Sequence, residues 1–419
     1  MPFRPPFCPN PDCRCHQDPD TPEGKRLRRI PWFKPFGFYQ TKLHGPVPRF
    51  RCLVCGHTCS RQTFRLDYYV KRKVDYNRLR VALTSCGSVR AIGRMLRISP
   101  DSVSNRISRL SRQYISATAE LLPKITLNEN LAADGFESFA VSQYYPNNIQ
   151  LLGGCESQYI LFADYATLRR KGRMTPSQKH LRAQLEKVYT TDPTAVETSF
   201  GKLLDVVAQL LVRRAKDSIT LWTDKKTAYE TALSKNQVLV AALATGDFSH
   251  ERISSLAPRT HANPLFTVNY LDRQLRKDLA EHVRETVRFA RNVCCSMERL
   301  WVAIGEHNFY KRYRTNDPVS LQRTHANEAG ICEADRRRAL HKITTRRRFL
   351  SFQSLSPALQ ACWKRGYETP LRQLQPGVMK ALKIAAKAGA VDPEKLAKTL
   401  NLDSLTHDRP QYLPRYALQ

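Results

Sequence analysis

The chain has 419 residues and carries 68 Lys and Arg against 37 Asp and Glu, which gives a net charge of +31 and an isoelectric point near 9.9. A field of this sign and size favours polyanionic partners, and residues 1–120 (+15) and residues 316–419 (+9) hold most of the excess. Membrane association is not expected, because the chain has no apolar run of about eighteen residues and no long amphipathic helix that gathers the basic residues.

Four of the N-terminal cysteines have the spacing of a zinc ribbon. Four residues separate Cys8 from Cys13, two separate Cys52 from Cys55, and 38 lie between the pairs. Two such pairs can place four thiolates around one Zn²⁺, whose binding then supplies folding energy to a small module. A replacement for Cys8 or Cys13 is available among the neighbouring ligand types, which are Cys15, His16, His57 and Cys59. We find no secretory signal and expect a cytoplasmic protein, in which disulfides are disfavoured.

Residues 67–123 have the pattern of a helix-turn-helix. Helices are predicted over 74–83, 89–96 and 100–110, and Ser88 and Ser99 are placed as N-caps before the second and third. We expect the polar side chains of the third helix to face outward and contact DNA, namely Ser102, Asn105, Arg106 and Arg109. A plain helical hairpin that links two domains is the alternative.

The middle of the chain alternates strand-like and helical segments, which predicts an α/β domain. Strands are expected over 130–139, 149–152, 159–163, 218–224 and 264–268. Helices are expected within 177–215 and 269–313.

Three acids in this region could bind a divalent metal. Asp134 and Asp224 each follow an apolar strand, so both carboxylates meet at one end of the sheet if the two strands are neighbours. Mg²⁺ or Mn²⁺ prefers such hard oxygen ligands. A helix packed against the sheet would supply the third acid, and Glu298 is the first candidate, with Glu306 as the alternative.

Four passages resemble the DDE transposases of small bacterial insertion sequences, in the branch with an N-terminal zinc ribbon and helix-turn-helix. The ribbon, the two aspartate motifs and the third-acid helix with its basic continuation carry the resemblance, at 49–60, 132–137, 221–229 and 297–313. The similarity covers about residues 5–315.

The resemblance implies a zinc ribbon over 1–66, a helix-turn-helix over 67–123 and an RNase H-like core over 124–315. That core is a mixed sheet flanked by helices, and a basic, mainly helical region follows over 316–419. Asp134, Asp224 and Glu298 would hold Mg²⁺ or Mn²⁺ for DNA cleavage and strand transfer.

DNA is the expected partner, both as terminal inverted repeats and as target, bound by a homo-oligomer associated with the nucleoid. The arginine runs 336–338 and 346–348 would grip phosphates, although a solvated helical face explains these runs as well. A catalytically inactive DNA-binding regulator and a metal-dependent nuclease without strand transfer are the alternatives.

Overall fold

The structure is a computed structural model that describes residues 3–371, apart from 255, 284, 285, 320 and 321. Its strands are β1 (Phe33–Thr41), β2 (Gly45–Cys52), β3 (Thr58–Ser60), β4 (Leu131–Phe139), β5 (Pro146–Gly154), β6 (Ile160–Thr167), β7 (Ile219–Asp224) and β8 (Phe248–Ile253). The first helices are α1 (Pro22–Leu27), α2 (Tyr76–Thr84), α3 (Val89–Leu96), α4 (Pro100–Leu121), α5 (Pro176–Val188), α6 (Ala195–Leu211) and α7 (Thr227–Ser234). The remaining helices are α8 (Gln237–Thr245), α9 (Phe266–Asp278), α10 (Val293–Phe309), α11 (His325–Glu328), α12 (Glu333–Thr345) and α13 (Pro357–Lys364).

The central sheet is mixed, with five strands in the order β6-β5-β4-β7-β8. Strands β4, β5 and β6 form an antiparallel meander, whereas β7 runs parallel to β4 and β8 runs parallel to β7. The two parallel connections pass through helices, as parallel strands require. The chain is therefore a mixed α/β protein whose sheet is flanked by helices, which confirms the coarse fold prediction.

Helices cover both faces of the sheet. Gly153 of β5 lies so close to α9 that an added Cβ would stand 2.8 Å from Leu271. Gln150 of β5 contacts Tyr229 of α7 instead. Since strand residues three apart point to opposite faces, α9 and α7 cover opposite sides of the sheet.

Helices α2, α3 and α4 share their core with the sheet. Side chains from all three helices, among them Leu79, Ile92 and Val103, belong to the same buried cluster as Leu131 of β4 and Leu300 of α10. Residues 67–123 and 124–315, predicted as separate domains, are thus packed around one continuous core.

The N-terminal module has its own small core, built from a three-stranded antiparallel sheet and aromatic side chains. Phe7, Trp32 and Phe64 are buried in it, and so is Phe349, which the chain contributes from far downstream. Residues 316–371 therefore contribute to the core of the module predicted over 1–66, and residues 372–419 of the predicted basic region lie outside the described residues.

One predicted strand is wrong and one strand was missed. Residues 264 and 265 form a turn, in which Asn263 Oδ1 accepts a hydrogen bond from Leu265 N, and helix α9 begins at Phe266. Val268, Leu271 and Leu275 then repeat at helical spacing on the buried side. The polar strand β8 showed no apolar pattern in the sequence. Among the described residues, no helix combines the length and the apolar character needed to cross a membrane.

Candidate functional site

The four predicted ribbon cysteines converge. One sulfur each from Cys8, Cys13, Cys52 and Cys55 lies within 4.8 Å of the other three. The Cys8 and Cys55 sulfurs are 3.5 Å apart and those of Cys13 and Cys52 are 3.8 Å apart, too far for disulfides. The arrangement is compatible with a structural Zn²⁺ held by four thiolates.

The spare ligand types do not join this set. His16 uses both ring nitrogens elsewhere, with Nδ1 lying 2.6 Å from Cys8 O and Nε2 lying 2.7 Å from Ser351 Oγ. Cys15 and Cys59 are buried next to the cluster, and burial raises the pKa of each thiol to about 12. Neither sulfur belongs to the group of four that converge.

A segment around Phe349 closes the cysteine module. The Phe7 ring lies 5.0 Å from the Phe349 ring and 4.9 Å from the Phe352 ring, while His16 stacks on Phe352 at 4.3 Å. Arg347 N also donates to Phe64 O at 2.8 Å. The same segment reaches α4, where Arg348 Nη2 donates to Glu120 Oε2 at 2.8 Å. The module is thus fastened to the rest of the protein.

Helix α4 begins at a tight connection after α3. Ser99 Oγ caps α4 by accepting a hydrogen bond from Ser102 N at 3.2 Å, and Arg97 adopts a left-handed conformation with φ of 54°. Gly93 permits the close approach, since a Cβ there would stand 2.9 Å from Ile98 O. The helix boundaries predicted in this region therefore agree with the structure, although α4 continues to Leu121.

The prediction that the side chains of Arg106 and Arg109 face outward to DNA is wrong. Arg106 and Arg109 are buried, each with only 7 % exposure. Arg109 Nη1 donates to Tyr68 O at 2.8 Å, and its guanidinium lies 3.7 Å from the centre of the Tyr68 ring. Ser102 and Asn105 remain partly exposed. The arginines instead hold α4 against the segment before α2, because a buried guanidinium needs acceptors and a flat ring surface.

A basic groove opens beside Ser102 and contains cations that the sequence analysis did not select. Its charged lining residues are Lys71, Arg72, Arg90, Arg94, Arg97 and Arg106. All but Arg106 are exposed. The groove also includes Ser99 and Pro100 at the N-terminus of α4, where the helix dipole adds positive potential. This combination suits a phosphate backbone.

Every arginine of the two C-terminal runs has a partner within the protein, although the side chains of Arg337 and Arg338 are 77 % and 61 % exposed. Arg336 and Arg337 pair with Glu333, and Arg338 pairs with Asp335. In the second run, Arg346 pairs with Asp20, Arg348 pairs with Glu120, and Arg347 stacks on the rings of Tyr68 and Phe349. Both runs therefore make structural contacts, which leaves fewer charges for phosphates than the sequence predicts.

The two predicted aspartates meet as expected from their strands. Leu131 and Ala132 of β4 lie opposite Leu221 and Trp222 of β7, so Asp134 and Asp224 come to the same level of the sheet. Asp134 lies within β4 rather than at its end, because the strand continues to Phe139.

A lysine stands between these two carboxylates. Lys226 Nζ lies 3.3 Å from Asp134 Oδ1 and 3.1 Å from Asp224 Oδ2, and it also donates to Tyr229 Oη at 3.3 Å. Burial and the charge of Asp134 raise the pKa of Asp224, while Lys226 opposes that rise. Burial lowers the pKa of Lys226, but Tyr229 and the two aspartates outweigh it and hold the pKa above its usual range. The lysine is therefore a fixed cation at the point where the two acids meet.

Glu298 does not join the aspartates. It is only 3 % exposed, and Arg365 Nε lies 3.5 Å from its Oε1 on the face of α10 that packs against the C-terminal segment. The alternative, Glu306, forms a salt bridge with Arg80 of α2. The prediction that Glu298 faces a cleft beside the sheet is thus wrong, because α10 turns that face toward α4 and α13.

Asp272 of α9 takes the place expected for the third acid. Val268 packs on Ala132 of β4, and Asp272, one helical turn later, comes level with Asp134, two residues along the strand. Burial and the charge of Asp134 raise the pKa of Asp272 well above its usual range. The sequence feature that could have indicated Asp272 is an acid on the buried side of the helix that follows the last strand. It was missed because the third acid was sought farther along the predicted helical region 269–313, at Glu298 or Glu306.

Two carboxylate oxygens of this acid cluster have no hydrogen-bond partner. Asp224 Oδ1 and Asp272 Oδ1 are buried and have no hydrogen-bond partner, so both are free to act as hard oxygen ligands. The carboxylate oxygens are spread more widely than the cysteine sulfurs, which form the one tight group of three or more Cys, His, Asp or Glu ligands among the described residues. A metal ion bound by both Asp134 and Asp224 would have to displace Lys226 from its bridging position.

Comparison with known proteins adds no family to these observations: no protein-family model matches the chain, and no curated protein matches it.

Proposed function

We propose that the protein is a DNA transposase that binds the terminal repeats of an insertion sequence and catalyses metal-dependent cleavage and strand transfer. The observation that carries the proposal is the meeting of Asp134 and Asp224 on adjacent parallel strands, with Asp272 packed over them from α9. In this proposal the sheet is an RNase H-like core, α3 and α4 form a helix-turn-helix, and the four cysteines bind Zn²⁺.

Asp134, Asp224 and Asp272 would hold Mg²⁺ or Mn²⁺. A bound metal ion of this kind activates the attacking oxygen and stabilises the leaving oxygen of a phosphodiester. The protein's own contribution is a rigid set of carboxylates, since β4 and β7 belong to the sheet and α9 is fixed by the buried Val268. Side-chain exposures of 22 % for Asp134 and 19 % for Asp224 leave the site open to a phosphate group.

Lys226 neutralises the two aspartates when no metal ion is present. Tyr229 restrains this lysine, because its hydroxyl accepts from Lys226 and donates to Gln150 Oε1 at 3.2 Å. If the two carboxylates held a metal ion, the Lys226 ammonium would be available to a phosphate oxygen, which is the partner that a compact cation binds well.

The basic groove at the start of α4 would bind duplex DNA through its phosphates. Arg90, Arg94 and Arg97 supply the exposed charges, and Ser102 and Asn105 are the side chains of α4 placed to reach bases. This division differs from the sequence prediction, in which Arg106 and Arg109 also contacted DNA.

The test is a cleavage and strand-transfer assay on DNA that carries the ends of the candidate element. Asp134→Asn, Asp224→Asn and Asp272→Asn should each abolish both reactions while end binding is retained, because each change removes a metal-binding charge. Glu298→Gln is the matched control, since it removes one charge from a buried acid outside the cluster. Loss of activity in Glu298→Gln with a normal melting temperature, and activity retained in Asp272→Asn, would contradict the assignment of the third acid.

Lys226 also favours a second candidate, a DNA-binding regulator in which the salt bridge has replaced the metal ion. Such a protein would bind the element ends as tightly as a transposase does. It would show no cleavage with Mg²⁺ or Mn²⁺ at any pH, and Asp224→Asn would leave its repression of the element's promoter unchanged.

A further inference from the structure

The hairpin of β1 and β2 projects aromatic rings into solvent. Each of the consecutive residues from Lys34 to Phe38 is exposed, and the exposed fractions are 37 % for Phe36 and 67 % for Phe38. A β-bulge between Pro35 and Phe38, with Gly37 in the left-handed region at φ of 68°, interrupts the pairing with β2 at this point. A small module with few apolar side chains gains nothing in stability from leaving two phenyl rings in water.

The rings lie among cations. The guanidinium of Arg49 is 5.2 Å from the centre of the Phe36 ring, and that of Arg51 is 5.4 Å from it. Arg51 is exposed and Arg49 is half-buried. Both guanidinium groups therefore combine a ring contact with access to an anion.

The sequence around this surface contains no acidic residue. Between Glu23 and Asp67 the sequence has ten Lys or Arg and neither Asp nor Glu. A surface that joins flat apolar rings to uncompensated cations is complementary to a ligand that has flat apolar faces and anionic links. Unpaired nucleotides have both, whereas an intact duplex exposes its phosphates and keeps the faces of its bases stacked.

We propose that Phe36, Phe38, Arg49 and Arg51 form a binding surface for unpaired nucleotides of DNA, with Phe38 stacking on a base and the arginines pairing with adjacent phosphates. The inference takes DNA as the ligand from the proposed function. It adds a role for the cysteine module, which is to hold a single-stranded stretch, such as one opened at a cleaved end, while the groove at α4 holds duplex.

The experiment measures binding of the full-length, zinc-loaded protein by fluorescence anisotropy without a catalytic metal ion. Two probes share one labelled strand: a full duplex, and a duplex with an unpaired overhang. Phe38→Ala should weaken binding to the overhang probe by about five- to a hundredfold and leave binding to the duplex within about twofold, as expected for the loss of one stacked base.

Three further variants control this experiment. Phe38→Trp should keep the preference for the overhang, because a larger ring also stacks on a base. Val212→Ala truncates another exposed apolar side chain, 80 % exposed and distant in sequence, and should change neither affinity. Arg51→Ala should weaken binding to the overhang probe more than binding to the duplex, because it removes a contact to a phosphate of the unpaired stretch.

Several results would overturn the inference. Equal losses of affinity for both probes in Phe38→Ala, or no loss for either, would exclude base stacking by Phe38. A wild-type protein that self-associates through Phe38, with the association lost in Phe38→Ala, would assign the surface to a second copy of the chain.

The binding assay also separates this inference from the proposed function. Asp134→Asn should bind both probes like the wild type. A wild type that binds duplex without preferring the overhang would contradict the nucleotide surface alone, whereas a wild type that binds neither probe would contradict the transposase proposal as well.

Discussion

Truncation of Phe349 to alanine should loosen the zinc module although the residue lies almost three hundred positions beyond the last zinc ligand. Phe349 is 2 % exposed, and its ring contacts the rings of Phe7 at 5.0 Å and Phe64 at 6.1 Å. Removal of a buried phenyl ring costs about 3–5 kcal/mol. The lower value applies here, because Phe352 is partly exposed and can move to fill part of the space.

This loss of stability should make the module open more often. If opening precedes zinc release, about 3 kcal/mol corresponds to release that is faster by about a hundredfold. The assay is the rate of zinc transfer from the full-length protein to a chromogenic chelator, well below the melting temperature. A fragment of residues 1–66 should also release zinc quickly, because it lacks the ring that closes its core.

Phe200→Ala is the matched control for this prediction. Phe200 is fully buried in α6 and stacks on Tyr229 at 4.0 Å, so its truncation removes the same group from the core of the sheet. Phe200→Ala should lower the melting temperature but leave the rate of zinc release near that of the wild type. A wild-type release rate in Phe349→Ala, or equal acceleration in both variants, would refute the dependence of the module on Phe349.

Three further outcomes are expected. Asp272→Asn should raise the melting temperature at neutral pH, because the pKa of Asp272 is raised in the folded state and its ionisation therefore destabilises the fold. This gain in melting temperature should vanish below about pH 3.9, where the carboxyl of Asp272 is protonated in the unfolded state too. Arg109→Ala should lower the free energy of unfolding by about 2–4 kcal/mol, and with it the melting temperature, because two backbone carbonyls lose their donor. The sequence preference of this variant in a DNA-binding assay should not change, whereas Ser102→Ala should alter that preference. Burial lowers the pKa of His325 to about 4 and also lowers the pKa of His307, which stacks on it. The free energy of unfolding should therefore have its full value above about pH 6.5 and fall toward pH 4. Melting curves recorded across this pH range should lack that fall when both histidines are changed to Gln.

The sequence alone was sufficient for the features that depend on local spacing. The two cysteine pairs, the capped starts of α3 and α4, and the strands that carry Asp134 and Asp224 all have signals within a few residues. Zinc-ligand spacing, capping and alternating apolar residues are local rules, so a single sequence expresses them directly.

The tertiary structure decided the features that depend on which face an element turns to its neighbours. The helical patterns gave correct helices for Glu298 and Arg109 but the wrong direction for each side chain, because packing turns both toward internal partners. Asp272 lies 138 residues after Asp134, and Phe349 lies 285 residues after Phe64. Contacts of that range depend on how sheet and helices pack, and no local pattern encodes them, because the free energy of burying a side chain is set by what lies opposite it.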